Sequence, residues 1–362
     1  MVAETDCKNV IITSANYARE IGQACPTIEG SVTFDTGESV NLDGVGVIRG
    51  NVTNTGEQYD CRWDPSDVDR CDSTDLFTIE MPSLTRIDGN VDFRGYVGLA
   101  NLSLPRLKEV SQFSLWRMHN LTTMDITKLD TVSSFYISDA KLLSTMHHEG
   151  LRHFTGRLGE RDTLYVSDTA LDSIDSIFAY PFNLTNTPNP SQGLGFDRMP
   201  NLRRATFGLT SANQVSFGGN NLTVTLGGPE TTSMNLSSIV LRRGVANFER
   251  HGNLKTLTVD KLDAQHSLNN LTTLMLPFDQ LRKLTVRDTG PLKRLRNLPQ
   301  AVSWTKFEMD VSSTSLNMTT VFEAGEDGKM VQTWFWPEKD MEKVYIWGGN
   351  FTNELLCVLA SR

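Results

Sequence analysis

Ile28-Glu29-Gly30-Ser31-Val32, Ile48-Arg49-Gly50-Asn51-Val52 and Ile87-Asp88-Gly89-Asn90-Val91 write one pattern three times, at steps of 20 and 39 residues. The longer step contains the Cys61 to Cys71 stretch, and an insertion there of roughly 17 residues accounts for the difference from a period near 22. Leu84, Leu107, Leu129 and Leu151 keep that period, stepping by 23, 22 and 22. Each stands ahead of a strand-like run such as Thr131-Val132-Ser133-Ser134-Phe135-Tyr136-Ile137. A half-form, Leu-x-x-apolar-x-apolar, recurs at Leu121 to Ile126, Leu236 to Leu241, Leu254 to Val259, Leu271 to Leu276 and Leu281 to Val286. Side chains two apart on a strand share a face, so each turn offers a few apolar groups to one interior. A single turn cannot bury them alone, and stacked neighbours can. The expected fold is therefore mainly β: a parallel β-helix or solenoid.

The turns echo too. Tyr136-Ile137-Ser138-Asp139 before Leu142 matches Tyr165-Val166-Ser167-Asp168 before Leu171, which puts each Asp at a corner, where it is expected to cap backbone N–H groups. A leucine-rich horseshoe, L-x-x-L-x-L-x-x-N, needs an Asn after each strand, and the chain mostly lacks it. Ser14 to Ala24 reads as a short amphipathic helix. Residues 1–27 are then an N-terminal cap, 28–346 the solenoid, and 347–362 a truncated C-terminal cap. A stretch near 54–78 and a Pro/Asn/Gly-rich stretch near 180–197 read as exposed loops.

Composition narrows the function. Net charge is −9 over 362 residues, which gives nucleic acid no overall electrostatic attraction. No run approaches the roughly 20 apolar residues that span a bilayer, and Met1 to Cys7 has no signal-peptide pattern. Nine Asn-x-Ser/Thr acceptors, at Asn51, Asn101, Asn120, Asn183, Asn221, Asn235, Asn270, Asn317 and Asn350, point to a secreted glycoprotein whose leader has been removed. Of the five cysteines, Cys7 with Cys25 and Cys61 with Cys71 are spaced for two local disulfides, and Cys357 is expected to pair beyond Arg362 or to be a buried thiol.

The early Cys25, the Ile-x-Gly-Asn-Val strands, Asn41-Leu42-Asp43-Gly44 and the period near 22 resemble the fungal GPI-anchored cell-wall-organisation proteins, built on receptor L-domain-like solenoids. The resemblance covers roughly residues 7 to 356. It implies a receptor L-domain type of solenoid, either continuous or two tandem halves. It also implies a GPI-anchored precursor at the cell wall or outer face of the plasma membrane and a role in wall organisation, with no catalytic residues and no cofactor. Partners would be wall polysaccharide or a wall or surface protein, and the membrane would be reached only through a lipid anchor outside these residues.

Trp334 and Trp336 fall on one strand parity and form the candidate sugar platform, since flat aromatic faces stack on pyranose C–H groups; plugging the last turn is the competing role. A polysaccharide-active β-helix enzyme is the rival reading and needs carboxylates converging on one face, for which Asp168, Asp172 and Asp175 are the candidates. A receptor ectodomain is a third. His147-His148-Glu149 with His153 lacks HExxH order, and no metal site is expected. Asp64, Asp67, Asp69, Asp72 and Asp75 fit no defined calcium loop. Arg282, Lys283, Arg287, Lys293, Arg294 and Arg296 form a basic patch that suits anionic wall phosphate or a solvated flank. Gly325 to Lys329 reads as a hairpin turn.

Overall fold

The computed structural model describes residues 7–55, 75–155, 164–184, 193–265, 271–287, 292–312, 315–317, 322–324, 329–338 and 341–347. It is a mainly-β parallel solenoid with one short helix near the N-terminus, as the period predicts. The chain divides into two compact units, Met1–Phe182 with Asn186–Asn201, and Leu202–Arg362 with Asn183–Thr185.

In the first unit, the strands Val10–Ile12, Val32–Phe34, Val52–Asn54, Arg86–Arg94, Glu109–Trp116, Ser134–Ala140, Leu164–Thr169 and Leu194–Asp197 pair in parallel, each with the next turn. A second parallel ladder runs through Val40–Asn41, Phe77–Glu80, Leu99–Ser103, Thr123–Asp125 and Thr145–His147. The register aligns Val10, Val32, Val52, Val91, Phe113, Phe135, Leu164 and Leu194 in one inward column, and every member is buried. Burial of such side chains contributes about 1.5–3 kcal/mol each, which is how a turn too thin to hold its own core becomes stable against its neighbours. Phe113 and Phe135 stack at 5.4 Å in this column.

Three kinds of corner join the strands. At the first, Asn9 Oδ1 accepts from Ser31 N at 2.9 Å, Ser31 Oγ from Asn51 N at 3.0 Å, and Asn51 Oδ1 from Asn90 N at 2.9 Å. Gly50 stacks directly on Gly30 and Gly89 on Gly50, while Gly30 lies against Lys8 and Asn9. A Cβ on Gly50 would lie 2.5 Å from Ser31 Oγ and 2.6 Å from the Gly30 carbonyl carbon. At the second corner, Gly95, Arg117, Asp139, Asp168 and Arg198 take φ between +51° and +59° in successive turns. Asp139 and Asp168 therefore do sit at a corner. What they supply there is left-handed backbone, which Asp tolerates better than most residues. The Asp168 carboxylate receives Ser167 Oγ at 3.0 Å and Arg198 at 2.7 Å, so its work is an ion pair with the next turn, in place of the expected backbone cap. The third is a tight turn closed three residues on, as in Leu84 N to Met81 O, Leu107 N to Leu104 O and Leu129 N to Ile126 O. Leu84, Leu107 and Leu129 are thus the buried closing residues of these turns, whereas Leu151, also buried, donates its N–H to Ile177 O at 3.1 Å.

The helix Ala15–Ala24 is capped by Ser14, whose Oγ accepts from Tyr17 N, and is tied by the Cys7–Cys25 disulfide. It buries Ala18, Ile21 and Gly22. Gly22 meets the Asp43 and Gly44 backbone so closely that no side chain fits between them, and Gly44 takes φ +101°. Val10–Ile12, inside the segment assigned to the cap, is itself a rung of the ladder, paired with Val32–Phe34.

In the second unit, Leu209–Phe217, Ser233–Leu241, Thr256–Gln265, Gln280–Arg287, Phe307–Ser312 and Met341–Trp347 form one parallel ladder. Arg204–Phe207, Leu222–Leu226 and Val245–Arg250 form another, and Thr273–Leu276 pairs with Arg294–Asn297. Inward columns are apolar throughout, as in Ile239, Leu262, Leu284 and Met309. Phe322–Ala324 and Met330–Gln332 pair antiparallel, which agrees with the hairpin expected around Gly325 to Lys329.

Candidate functional site

Trp334 and Trp336 are 1% and 7% exposed and meet edge to face at 5.5 Å. Asn297 clamps the residue between them: its Nδ2 donates to Phe335 O at 2.8 Å and its Oδ1 accepts from Phe335 N at 2.7 Å. With both indoles turned into the interior, neither face is open to a sugar, and the platform expected here gives way to the plug.

An open aromatic pair lies in the last described strand. Along Met341–Trp347, Val344 and Ile346 take the inward parity and Lys343, Tyr345 and Trp347 the outward one. Tyr345 is 51% exposed and Trp347 64%. The register places Glu308 beside Lys343, Asp310 beside Tyr345 and Ser312 beside Trp347, with Lys283, Thr285 and Arg287 one strand further. Arg287, Asp310, Ser312, Lys343 and Tyr345 line an open shelf of about 410 Å³. That is at the small end of ligand clefts, the size class of a sugar ring or two.

The floor of the shelf is polar and ordered by pairing across strands. Arg287 bonds Asp310 in the lining, and outside the lining Lys283 Nζ bonds Glu308 at 2.8 Å. The Lys283 hydrogen bond, with its charge, holds Glu308 below the usual carboxylate range, and Lys343 acts in the same sense. A surface with apolar ring faces beside fixed donors and acceptors offers both halves of carbohydrate recognition: stacking on C–H faces and hydrogen bonds to hydroxyls. Alternation places Val344 and Ile346 on one face of the strand and Tyr345 and Trp347 on the other, and packing of the first pair against Met309 and Val311 leaves the second pair open.

The other candidates disperse. Asp168 is engaged by Arg198, while Asp172 and Asp175 are exposed in the following turn, Asp175 N donating to Ser173 Oγ at 3.2 Å. His148 is buried, its Nδ1 accepting from Gly150 N at 2.9 Å, and burial lowers its pKa. Glu149 pairs with Lys128 and His153 lies in a strand beside Thr131. Among the described residues no group of three His, Cys, Asp or Glu side chains is arranged to hold a metal. In the basic patch, Arg282, Lys283 and Arg287 each pair with an acid of a neighbouring strand.

Of the sequon asparagines, Asn51, Asn221, Asn235 and Asn317 are exposed and Asn101 and Asn120 half-buried. Asn51, Asn120 and Asn221 lie at turns or corners, whereas Asn101 and Asn235 lie within strands. The backbone of Asn183 belongs to the strand Phe182–Leu184. Asn270, Asn350, Cys61, Cys71, Cys357, Asp64, Asp67, Asp69 and Asp72 lie outside the described residues. No helix among the described residues is long and apolar enough to cross a membrane. No protein-family model, curated protein or solved structure matches the chain.

Proposed function

We propose that this protein is a non-catalytic, secreted or cell-surface glycoprotein that binds or scaffolds polysaccharide of a fungal cell wall, and that the Tyr345–Trp347 shelf is its contact surface. The observation that carries the reading is the pair of exposed rings two residues apart on one strand face, above the polar floor of Arg287, Asp310, Ser312 and Lys343. Exposed aromatic pairs on a rigid sheet bind at low entropic cost, because the backbone beneath them is already ordered by its neighbours. The fungal and wall-organising part of the reading, with its lipid-anchored precursor, rests on the resemblance of the Ile-x-Gly-Asn-Val strands and the period near 22.

Retention of the purified protein on insoluble fungal wall material tests it. Truncating two central aromatic anchors removes at least about tenfold in affinity. Tyr345→Ala with Trp347→Ala is expected to release the protein from the wall fraction while leaving its far-UV spectrum intact. Undiminished retention of that folded variant contradicts the assignment.

A further inference from the structure

The fold itself separates the sequons, because it uses different atoms of their amides. Asn120 Nδ2 donates to Val97 O, one turn back, at 2.9 Å. The same strut recurs where there is no sequon. Asn201 Nδ2 donates to Ala170 O at 2.9 Å, and Asn253 Nδ2 to Pro229 O at 3.0 Å. Each of these Asn residues precedes a buried Leu, at Leu121, Leu202 and Leu254, yet the residue after that Leu is Thr122 in the first case and Arg203 or Lys255 in the others. Asn at this position thus serves the turn whether or not an acceptor triplet follows. A backbone carbonyl only accepts, so the atom facing it must be the amide nitrogen, the atom a glycan would occupy.

Asn51 uses the opposite end of its amide. Its Oδ1 accepts from the backbone N–H of Asn90, which only donates, and this leaves the nitrogen end outside the corner ladder. Asn221 and Asn235 are exposed, the first in a turn at φ +62°, the second outward on Ser233–Leu241. Asn235 stands in register with Ser211 and Thr258, in a different outward column from that of Asp310 and Tyr345.

We infer that Asn51, Asn221 and Asn235 are glycan acceptors and that Asn120 is a turn strut that stays unmodified. In the modification, Nδ2 forms the bond to the anomeric carbon of a glycosyl diphosphate lipid. The anomeric C–O bond breaks, the diphosphate lipid leaves with the electron pair, and one amide proton passes to the transferase's base. At Asn120 that nitrogen is half-buried and held against Val97 O. The inference rests on the secreted-glycoprotein reading and is independent of whether the shelf binds sugar.

The test is site occupancy. The full chain is expressed behind a secretory leader in a glycosylating eukaryotic host, released enzymatically from its glycans in ¹⁸O water, and mapped by peptide mass spectrometry. The expected result is ¹⁸O-labelled Asp at positions 51, 221 and 235 and unlabelled Asn at 120. Occupancy of Asn120 equal to that of the other three overturns the inference, as does absence of label from all three. A second readout is thermal: Asn120→Ala and Asn201→Ala are both expected to lower the midpoint by about 2–4 °C, as the loss of roughly one hydrogen bond does in a unit of this size. Asn235→Gln should remove one glycan mass and leave the midpoint in place. An unchanged midpoint in Asn120→Ala contradicts the strut.

Discussion

Gly50→Ala is the sharpest probe of the corner that the opening pattern builds. The new methyl would stand 2.5 Å from Ser31 Oγ, 2.6 Å from the Gly30 carbonyl carbon and 2.7 Å from the Gly30 oxygen. Two of those three atoms are backbone, locked by the Gly50 N to Gly30 O hydrogen bond at 2.9 Å, so no side-chain rotation relieves the contact. Carbon atoms prefer about 3.5–4.0 Å, so the turns must part by roughly 1 Å at that corner. Overpacking of this kind costs about 1–3 kcal/mol, which in a unit of this size lowers the midpoint by about 2–12 °C. Gly37 provides the internal control. A Cβ there meets nothing within 4 Å, so Gly37→Ala should be neutral or stabilise by about 0.4–1 kcal/mol through the unfolded chain. Urea unfolding followed by circular dichroism compares the two variants. If Gly50→Ala proves as stable as Gly37→Ala, the stacked-glycine corner is wrong.

Three other outcomes follow from the same physics. Trp334→Ala should destabilise the second unit by about 3–5 kcal/mol, while Tyr345→Ala, on the open face, stays within about 0.5 kcal/mol of wild type in denaturant titrations. Serine at both Cys7 and Cys25 should cost about 3 kcal/mol, the chain-entropy value for a loop of about 15 residues, read as a lower urea midpoint. His148 is held neutral by burial and accepts a backbone N–H through Nδ1, so its folded pKa lies below the value near 6.5 of the unfolded chain. The unfolded state then takes up the proton first as pH falls. Its stability contribution is full above about pH 6.5 and declines below it, and His148→Gln should flatten that part of the midpoint-against-pH curve.

The ladder was legible because its signal is periodic. Ile28, Ile48 and Ile87 align in register, and the leucines at 84, 107 and 129 close equivalent turns. Gly30, Gly50 and Gly89 recur in the Ile-x-Gly-x-Val pattern, and the structure supplies the reason: a Cβ at Gly50 or Gly89 would meet the backbone of the turn before it. Three features escaped. Val10–Ile12 is too short to carry a period and lies inside the disulfide loop, so its pairing with Val32–Phe34 was hidden. The left-handed column runs through Gly, Arg and Asp, so only its members Asp139 and Asp168, in the echoed turns, were read as corners, and Gly95, Arg117 and Arg198 were missed. The late tryptophans carry the main lesson about the site. Trp334-Phe335-Trp336 and Tyr345-Ile346-Trp347 look alike in parity, yet the first pair is buried and the second open. Alternation separates the two faces of a segment, and which face the protein covers depends on tertiary packing.

Calorimetric titration with soluble oligosaccharides cut from fungal wall polysaccharide decides whether the exposed Tyr345 and Trp347 rings bind sugar. The expected result is saturable binding by the wild-type protein, unchanged binding by the Asn235→Gln variant, and loss of at least about tenfold in affinity when Tyr345 and Trp347 are both changed to alanine. Equal affinity of the wild-type protein and that folded double variant would contradict it.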